Sequence, residues 1–231
     1  MIASARQIIY ADRFIREGRR PQAQISLGRS VGKKTMGVVG FGAIGRPIAD
    51  RGAAFNMRVL YYVPRRKPDA PYEYVADVVE LARQSDFLMV ACKGGPDTCH
   101  LIGRDVIEAL GSNGTLVNVA RGSVVDEQAL AAALRDGRPG YAALDVFENE
   151  PHVSTDLLAL PNVIVQPHHG SAGLETRIAM GQLDDRQHRG LDRRAEIAHA
   201  GSVGPPSAPL AKFVIQSPHP TTRTSEAEGT S

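Results

Sequence analysis

The stretch at residues 38–52, VVGFGAIGRPIADRG, decides the fold. Its three glycines have G-x-G-x-x-G spacing and stand between an apolar run and a helical pattern. In such a loop the first glycine permits a tight turn, the second lets the backbone approach a pyrophosphate, and the third allows close packing of helix on strand. The anion then rests on the helix N-terminus, where backbone N–H groups favour negative charge. The spacing alone would also fit a structural turn, but between a strand and a helix it indicates a dinucleotide site at Gly40, Gly42, Ala43, Ile44 and Gly45.

Short apolar runs alternate with helical patterns from residue 35 to residue 183. The predicted strands are TMGVVGF, MRVLYY, DFLMVAC, GTLVNVA, YAALDVF and NVIVQP. The predicted helices are AIGRPIADRGAAF, ADVVELARQ, GRDVIEAL, VDEQALAAALRDG and GLETRIAMGQL. Nearly continuous apolar strands separated by helices are typical of a parallel sheet covered on both faces. We therefore predict a doubly wound, Rossmann-like α/β domain over residues 21–183, with its ligands beyond the carboxyl ends of the strands.

The two ends of the chain differ from this central pattern. Residues 1–20 are predicted to form a packed amphipathic helix, because apolar residues recur at helical spacing: Ile2, Ala5, Ile8, Ile9 and Ile15. An arginine-rich organelle-targeting helix is the alternative, but Asp12 and Glu17 argue against it. Residues 184–231 are crowded with charge and proline and contain one apolar island, LAKFVIQ. We expect a disordered tail there, because so little apolar surface cannot offset the entropy lost on ordering.

Composition limits the classes of protein to which the chain can belong. Its 231 residues suit one substantial domain, and 42% hydrophobic with 23% charged residues is typical of a globular protein. A net charge of +2 does not indicate nucleic acid or an anionic membrane as a partner. No apolar stretch approaches the roughly 20 residues that span a bilayer. Cys92 and Cys99 form neither a C-x-x-C pair nor a disulfide framework, so we expect a reducing, cytoplasmic location.

The residues after the second predicted strand indicate which nicotinamide cofactor binds. An NAD site carries an acidic residue at this strand end, which accepts a hydrogen bond from the ribose 2′-hydroxyl. Val63 stands at that position, and Arg65, Arg66 and Lys67 follow. The absence of a carboxylate at this position and the three cations after it suit the 2′-phosphate of NADP, which arginine can bind bidentately. We predict NADP with contacts to Arg65 and Arg66; NAD stays possible, and a solvated basic turn is the alternative.

Three further stretches each place one reactive side chain at a predicted strand end. These are Arg121 in NVARGSVVDE, Glu150 in LDVFENEP and His168 in QPHHGSAG. Reduction of a 2-keto acid needs a cation that binds the substrate carboxylate, and a planar guanidinium is suited to this. It also needs an acid that protonates the developing alkoxide, and histidine titrates near neutrality. A glutamate beside the histidine would favour its imidazolium form.

These motifs, ordered behind VVGFGAIGR, resemble those of the D-isomer-specific 2-hydroxy acid dehydrogenase family, in particular its glyoxylate/hydroxypyruvate reductase branch. The resemblance covers residues 1 to about 182. It implies NAD(P)-dependent reduction of a 2-keto acid, with Arg121 binding substrate, His168 as acid/base and Glu150 supporting it. It also implies cofactor contacts at Val119, Ala120, Asp145 and Gly170. We expect a homodimer. Formate-oxidising relatives carry glutamine where Glu150 stands, which argues against formate as the substrate.

Each of these residues also has a structural interpretation. Arg121 alone would fit a surface arginine, Glu150 an acid in a polar turn, and Asp145 a residue that caps a loop. His168 alone would fit a structural histidine. His169 is predicted to line the site, with a contact to the substrate or the nicotinamide ribose as the alternative. A metal site is not expected, because adjacent histidines rarely converge on one ion and no further ligand cluster lies nearby.

Two departures from the family pattern affect the expected activity. Family members begin with a substrate-binding domain of roughly a hundred residues, which we expect to be missing, since Met1 falls within the interdomain helix. After GQL the expected apolar helix gives way to DDRQHRGLDRR, which suggests a shifted reading frame. We therefore expect dinucleotide binding with weak or absent turnover. The alternative to an oxidoreductase is a non-catalytic dinucleotide-binding module.

Overall fold

The computed structural model describes residues 1–21 and 23–182. Its strands are β1 (Thr35–Val39), β2 (Arg58–Tyr62), β3 (Glu73–Tyr74), β4 (Phe87–Val90), β5 (Thr115–Asn118), β6 (Tyr141–Leu144) and β7 (Val163–Val165). Its α-helices before residue 174 are α1 (Ile2–Ala5), α2 (Ile8–Arg16), α3 (Gly45–Ala54), α4 (Val78–Arg83), α5 (Arg104–Leu110), α6 (Glu127–Arg135) and α7 (Thr155–Leu158). Short 3₁₀ turns lie at Pro96–Thr98 and Gly122–Val124.

The strands form one sheet in the order β3-β2-β1-β4-β5-β6-β7, and every pair is parallel. The order reverses between β1 and β4, which places the switch point of the sheet at their carboxyl ends. The predicted doubly wound parallel sheet is therefore confirmed.

The core has two parts. One cluster contains Leu88 of β4, Leu116 of β5 and Leu130 of α6, all fully buried. The other contains Val38 of β1, Ala49 of α3 and Tyr61 of β2. Alternate residues of the central strands thus enter different clusters, as expected for a sheet covered on both faces.

The prediction of one packed helix over residues 1–20 was wrong in two respects. Gln7 adopts a left-handed conformation with φ 51° and separates α1 from α2. Ala5 and Phe14 are buried, but the apolar side chains of Ile8 and Ile15 are 48% and 60% exposed. Only one narrow stripe of this segment therefore contacts the domain.

Residues Met1–Arg177 form one compact unit. Residues 178–182, which are helical, belong to a second unit whose other residues lie outside the described part of the chain. The tail predicted at residues 184–231 also lies outside it, and the predicted domain boundaries stay predictions. Among the described residues, no helix has the length and apolar character that crossing a membrane requires.

Candidate active site

The glycine-rich loop joins β1 to α3, and two of its three glycines have no room for a side chain. Gly40 has φ +92°, and a Cβ there would lie 2.5 Å from the Cα of Cys92, just beyond β4. A Cβ on Gly45 would lie 1.9 Å from the carbonyl oxygen of Gly40, so α3 begins directly on the loop. A Cβ on Gly42 would meet no atom within 4 Å. The loop is thus closed against the protein at Gly40 and Gly45 and open at Gly42, where a pyrophosphate would approach.

The N-terminus of α3 suits an anion. No side chain caps it, and its first turn contains no acidic residue. Arg46 in that turn lies with its guanidinium carbon 4.8 Å from the centre of the Phe41 ring and pairs with Asp69 at 2.7 Å. Exposed N–H groups, the helix dipole and a nearby cation all favour a phosphate here.

The turn after β2 exposes its cations. Val63 is 8% exposed and packs in the core, so the position where NAD sites carry an acid faces inward. Arg65 and Arg66 are exposed and form no hydrogen bond or ion pair with any residue in the described part of the chain. Both guanidinium groups are therefore available to a ligand.

The loop after β5 is built around Asn118, which is buried. Its side-chain oxygen accepts a hydrogen bond from the Ala120 amide, and its nitrogen donates to the Arg121 carbonyl, both at 3.0 Å. The Arg121 guanidinium donates to the Ala120 carbonyl at 2.7 Å. A Cβ on Gly94 would lie 2.7 Å from Cγ of Arg121, so the arginine stem packs on the loop after β4. These contacts place an exposed arginine at the carboxyl end of the sheet.

Gly122 joins the Arg121 loop to the turn that carries Glu150. A Cβ on Gly122 would lie 1.8 Å from the carbonyl carbon of Phe147, so only glycine allows the two backbones to meet. Glu150 folds back over this turn, and its Oε1 accepts a hydrogen bond from the Phe147 amide at 3.0 Å.

The other carboxylate oxygen of Glu150 lies 3.1 Å from Nδ1 of His168. This hydrogen bond from His168 holds the pKa of Glu150 below its usual range, and the Phe147 amide adds to the effect. Because Nδ1 is held by Glu150, Nε2 is the nitrogen left for exchange of a proton with a substrate. The arrangement is a carboxylate–histidine pair in which the imidazole ring is held in one orientation.

Asp145, at the end of β6, holds the loop that carries His168. Its two carboxylate oxygens accept hydrogen bonds from the amides of His169 and Gly170, at 2.6 and 2.8 Å. A Cβ on Gly170 would lie 2.8 Å from the same carboxylate. These bonds offset the cost of the left-handed conformation of His168, whose φ is 53°. Asp145 therefore caps the loop, and a contact with nicotinamide stays a prediction.

The family model for the D-isomer specific 2-hydroxyacid dehydrogenase, NAD binding domain, matches residues 1–170. The chain belongs to this family. It is 45% identical over 183 residues to the 2-ketogluconate reductase of Gluconobacter oxydans, covering 79% of this chain and 59% of that protein. It is also 45% identical over 183 residues to the glyoxylate/hydroxypyruvate reductase A of Arabidopsis thaliana, covering 79% of this chain and 58% of the relative.

A solved structure of the family shows the same fold with a bound cofactor. The NADPH-dependent glyoxylate/hydroxypyruvate reductase of Sinorhizobium meliloti, in complex with NADP and malonate, superposes with a TM-score of 0.75 at 38% identity. The match covers 79% of this chain and 58% of that one. The chain thus spans somewhat more than half the length of these dehydrogenases.

The sequence interpretation missed a second histidine–carboxylate pair, whose carboxylate lies close to Glu150 in the sequence. His100 Nε2 contacts Glu148 Oε1, and the His100 amide donates to the Ser123 carbonyl at 2.8 Å. Glu127, the first residue of α6, is buried and accepts a hydrogen bond from the Glu148 amide at 2.7 Å. Burial raises the pKa of the Glu127 carboxyl. The two acids in F-E-N-E-P, Glu148 and Glu150, were a sequence signal for this second pair, because residues two apart in a turn can face different partners.

His169 contributes its backbone to the site, and its side chain contacts no polar partner in the described part of the chain. The described residues contain no group of three or more side chains placed to hold a metal ion.

Proposed function

We propose that this chain is the cofactor-binding and proton-transferring part of an NADP-dependent 2-hydroxy acid dehydrogenase that reduces 2-keto acids of the glyoxylate/hydroxypyruvate type. The observation that carries the proposal is the 3.1 Å contact between Glu150 and His168, beside the loop of Arg121. The Gly122–Phe147 backbone contact supports the joint placement of these groups, because it fixes the distance between the two loops.

The open glycine loop, the uncapped start of α3 and the exposed Arg65 and Arg66 together fit a dinucleotide with a 2′-phosphate. Gly42, Ala43 and Ile44 would lie under the pyrophosphate, and the two arginines would bind the 2′-phosphate. Val119 and Ala120 directly follow β5, and Gly170 lies in the loop after β7; all three would lie along the nicotinamide half.

When bound, the cofactor supplies a hydride to the carbonyl carbon of the 2-keto acid. Arg121 binds the substrate carboxylate and draws electron density from the carbonyl oxygen, because its guanidinium is permanently charged. His168 gives the proton on Nε2 to that oxygen, which yields the 2-hydroxy acid. Glu150 keeps the imidazole oriented and stabilises its protonated form.

A non-catalytic dinucleotide-binding module is the second candidate. It is favoured by the exposure of the pair, since the side chains of His168 and Glu150 are 45% and 39% exposed in this chain. Charge stabilisation weakens where water reaches the reacting groups.

The test is a titration with NADPH followed by fluorescence, then addition of glyoxylate or hydroxypyruvate with absorbance recorded. We expect NADPH to bind, and we expect turnover, where present, to fall by about 10²–10⁴ in His168→Gln. His152→Gln is the control, because His152 is exposed and belongs to none of the proposed contacts, and it should keep the rate of the unmodified chain. Binding without oxidation in the unmodified chain would select the second candidate, and absence of NADPH binding would overturn both.

We also propose that the chain forms a homodimer in the cytoplasm. The exposed Ile8, Ile9 and Ile15 on α2 support self-association, and a groove of about 440 Å³ lies between the N-terminal helices and β7. The free thiols of Cys92 and Cys99 suit a reducing compartment. A clean monomer in light scattering would contradict the dimer, and recovery from an oxidising fraction of the cell would contradict the location.

A further inference from the structure

We propose that the Tyr61 hydroxyl determines specificity for the 2′-phosphate by holding the basic turn in one conformation. The inference rests on the proposed binding of NADP. Tyr61 lies in β2 and is fully buried. Its hydroxyl accepts a hydrogen bond from the Lys67 amide at 3.2 Å and donates one to the Lys67 carbonyl at 3.1 Å. One phenol therefore satisfies both backbone polar groups of the residue that follows Arg65 and Arg66.

The other end of the turn is held in the same way. Tyr74, in the two-residue strand β3, donates its hydroxyl hydrogen to the Val63 carbonyl at 3.2 Å. The rings of Tyr61 and Tyr74 lie 5.5 Å apart, and Phe41 of the glycine loop lies 4.5 Å from Tyr61. Two packed tyrosines thus fix the turn at Val63 and Lys67, on either side of the two arginines.

An ion pair on the surface contributes less to this restraint. Asp69 pairs with Arg46 at 2.7 Å, but the two side chains are 70% and 37% exposed. Exposed pairs of this kind contribute little, because water and salt screen them. The hydrogen bonds of the Tyr61 and Tyr74 hydroxyls are therefore stronger restraints on the turn than this ion pair, and Tyr61 holds the end that follows the two arginines.

An ordered turn should increase the affinity for NADPH and have no effect on the affinity for NADH. Two arginines that bind a phosphate dianion lose backbone and side-chain freedom, and this cost falls when the turn is already ordered. NADH lacks the 2′-phosphate and does not use these arginines. Loss of the Tyr61 hydroxyl should thus weaken NADPH and leave NADH unchanged, a change in selectivity that a general loss of stability would not produce.

The experiment compares Tyr61→Phe with Tyr62→Phe in the full chain. Tyr62 is the next residue of β2, and its hydroxyl forms no hydrogen bond within residues 1–21 and 23–182, so it is a matched control. We expect the Kd of NADPH to rise about three- to tenfold in Tyr61→Phe, with the Kd of NADH within about twofold of the unmodified chain. Tyr62→Phe should change neither. Equal loss for both cofactors, or no loss, would overturn the inference.

Two further measurements separate this inference from the proposed function. If Arg65→Ala with Arg66→Ala weakens NADPH relative to NADH but Tyr61→Phe does not, only the role of Tyr61 fails. If the double arginine variant has no effect on the ratio, the NADP assignment fails and the inference fails with it. Hydrogen exchange at the Lys67 amide needs no cofactor: it should be faster in Tyr61→Phe than in Tyr62→Phe, and equal rates would contradict the restraint.

Discussion

The glycine-rich loop and the loops that carry Glu150 and His168 lie at the same edge of one sheet but are held mainly by different forces. The glycine loop is fixed by backbone packed on backbone, since Cβ atoms at Gly40 and Gly45 would overlap neighbouring main chain. The loops of Glu150 and His168 are exposed and, beyond the single backbone contact of Gly122 with Phe147, are held by carboxylates that accept backbone N–H groups. A region held by packing is destabilised by a larger side chain but not by a change of pH. A region held by hydrogen bonds to carboxylates is less sensitive to a larger side chain, but it depends on the protonation of those carboxylates.

The largest expected effect tests the packed region. Gly45→Ala should lower the free energy of unfolding by about 3 kcal/mol or more, because its Cβ would lie 1.9 Å from the Gly40 oxygen and α3 would have to move. Gly42→Ala is the control, since its Cβ would enter open space, and it should change stability by less than about 0.5 kcal/mol. Urea denaturation measures both. Similar losses in the two variants would show that packing does not fix the loop.

The second expected effect is on the protonation of the Glu150 carboxyl. His168→Gln should raise the pKa of Glu150 towards that of an ordinary glutamate, because the hydrogen bond from His168 is the main cause of its depression. His169→Gln should leave the pKa of Glu150 unchanged, since the His169 side chain does not reach the carboxylate. The titration is followed by NMR of the Glu150 carboxyl carbon. The same shift in both variants would contradict the pairing.

The sign of the linked stability follows from the lowered pKa of Glu150. A carboxyl whose pKa is depressed in the folded state adds stability above its unfolded pKa, about 4.3, and loses it as pH falls through the lower folded pKa. The contribution should stay below about 1 kcal/mol, because Glu150 is 39% exposed and solvent screens the pair.

The smallest effect is expected at Glu127, the one buried carboxylate that we place beside these loops. Burial raises its pKa, so its contribution to stability is most favourable below the unfolded pKa and is lost as pH rises through the folded pKa. Glu127→Gln keeps an oxygen for the Glu148 amide and removes the charge. It should therefore be more stable than the unmodified chain at neutral pH, by roughly 0.5 kcal/mol, and equal to it near pH ~4.

Thermal unfolding at the two pH values measures the effect of Glu127→Gln. Glu108→Gln, on the exposed face of α5, is the control and should show no such difference. A destabilised Glu127→Gln at neutral pH would mean that the charge itself holds Glu148.

Much of the fold could be predicted from the sequence, because each of the longer strands is a largely apolar run that is followed within three residues by glycine, proline or a polar residue. The strand β3 and the helix α7 were not predicted. The first has two residues, Glu73 and Tyr74, and the second has four, so neither repeats a pattern often enough to be recognised. The break at Gln7 was missed for another reason: its left-handed backbone has no signal in a run of good helix formers.

For the site, the motifs placed Arg121, Glu150 and His168 at strand ends, and the structure brings Glu150 and His168 together. Their catalytic roles stay predictions. The contacts that support them could not be predicted, because the partners of Gly122 and Glu127 are more than twenty residues away in sequence and meet only in the folded protein. Local pattern indicates which residues end a strand, but not which backbone lies across from them.

The interior position of β1 in the sheet has a consequence for synthesis of the chain. β1 pairs with β2 on one side and with β4 on the other, where Met36 lies opposite Phe87. A ribosome that adds about 5–20 residues per second needs several seconds to make the chain between β1 and β4. During that time one edge of β1 stays unpaired, and Gly40 lacks the Cys92 backbone against which its turn closes. The nascent chain therefore cannot complete its dinucleotide loop until β4 has left the exit tunnel, and a cofactor cannot assist folding before then.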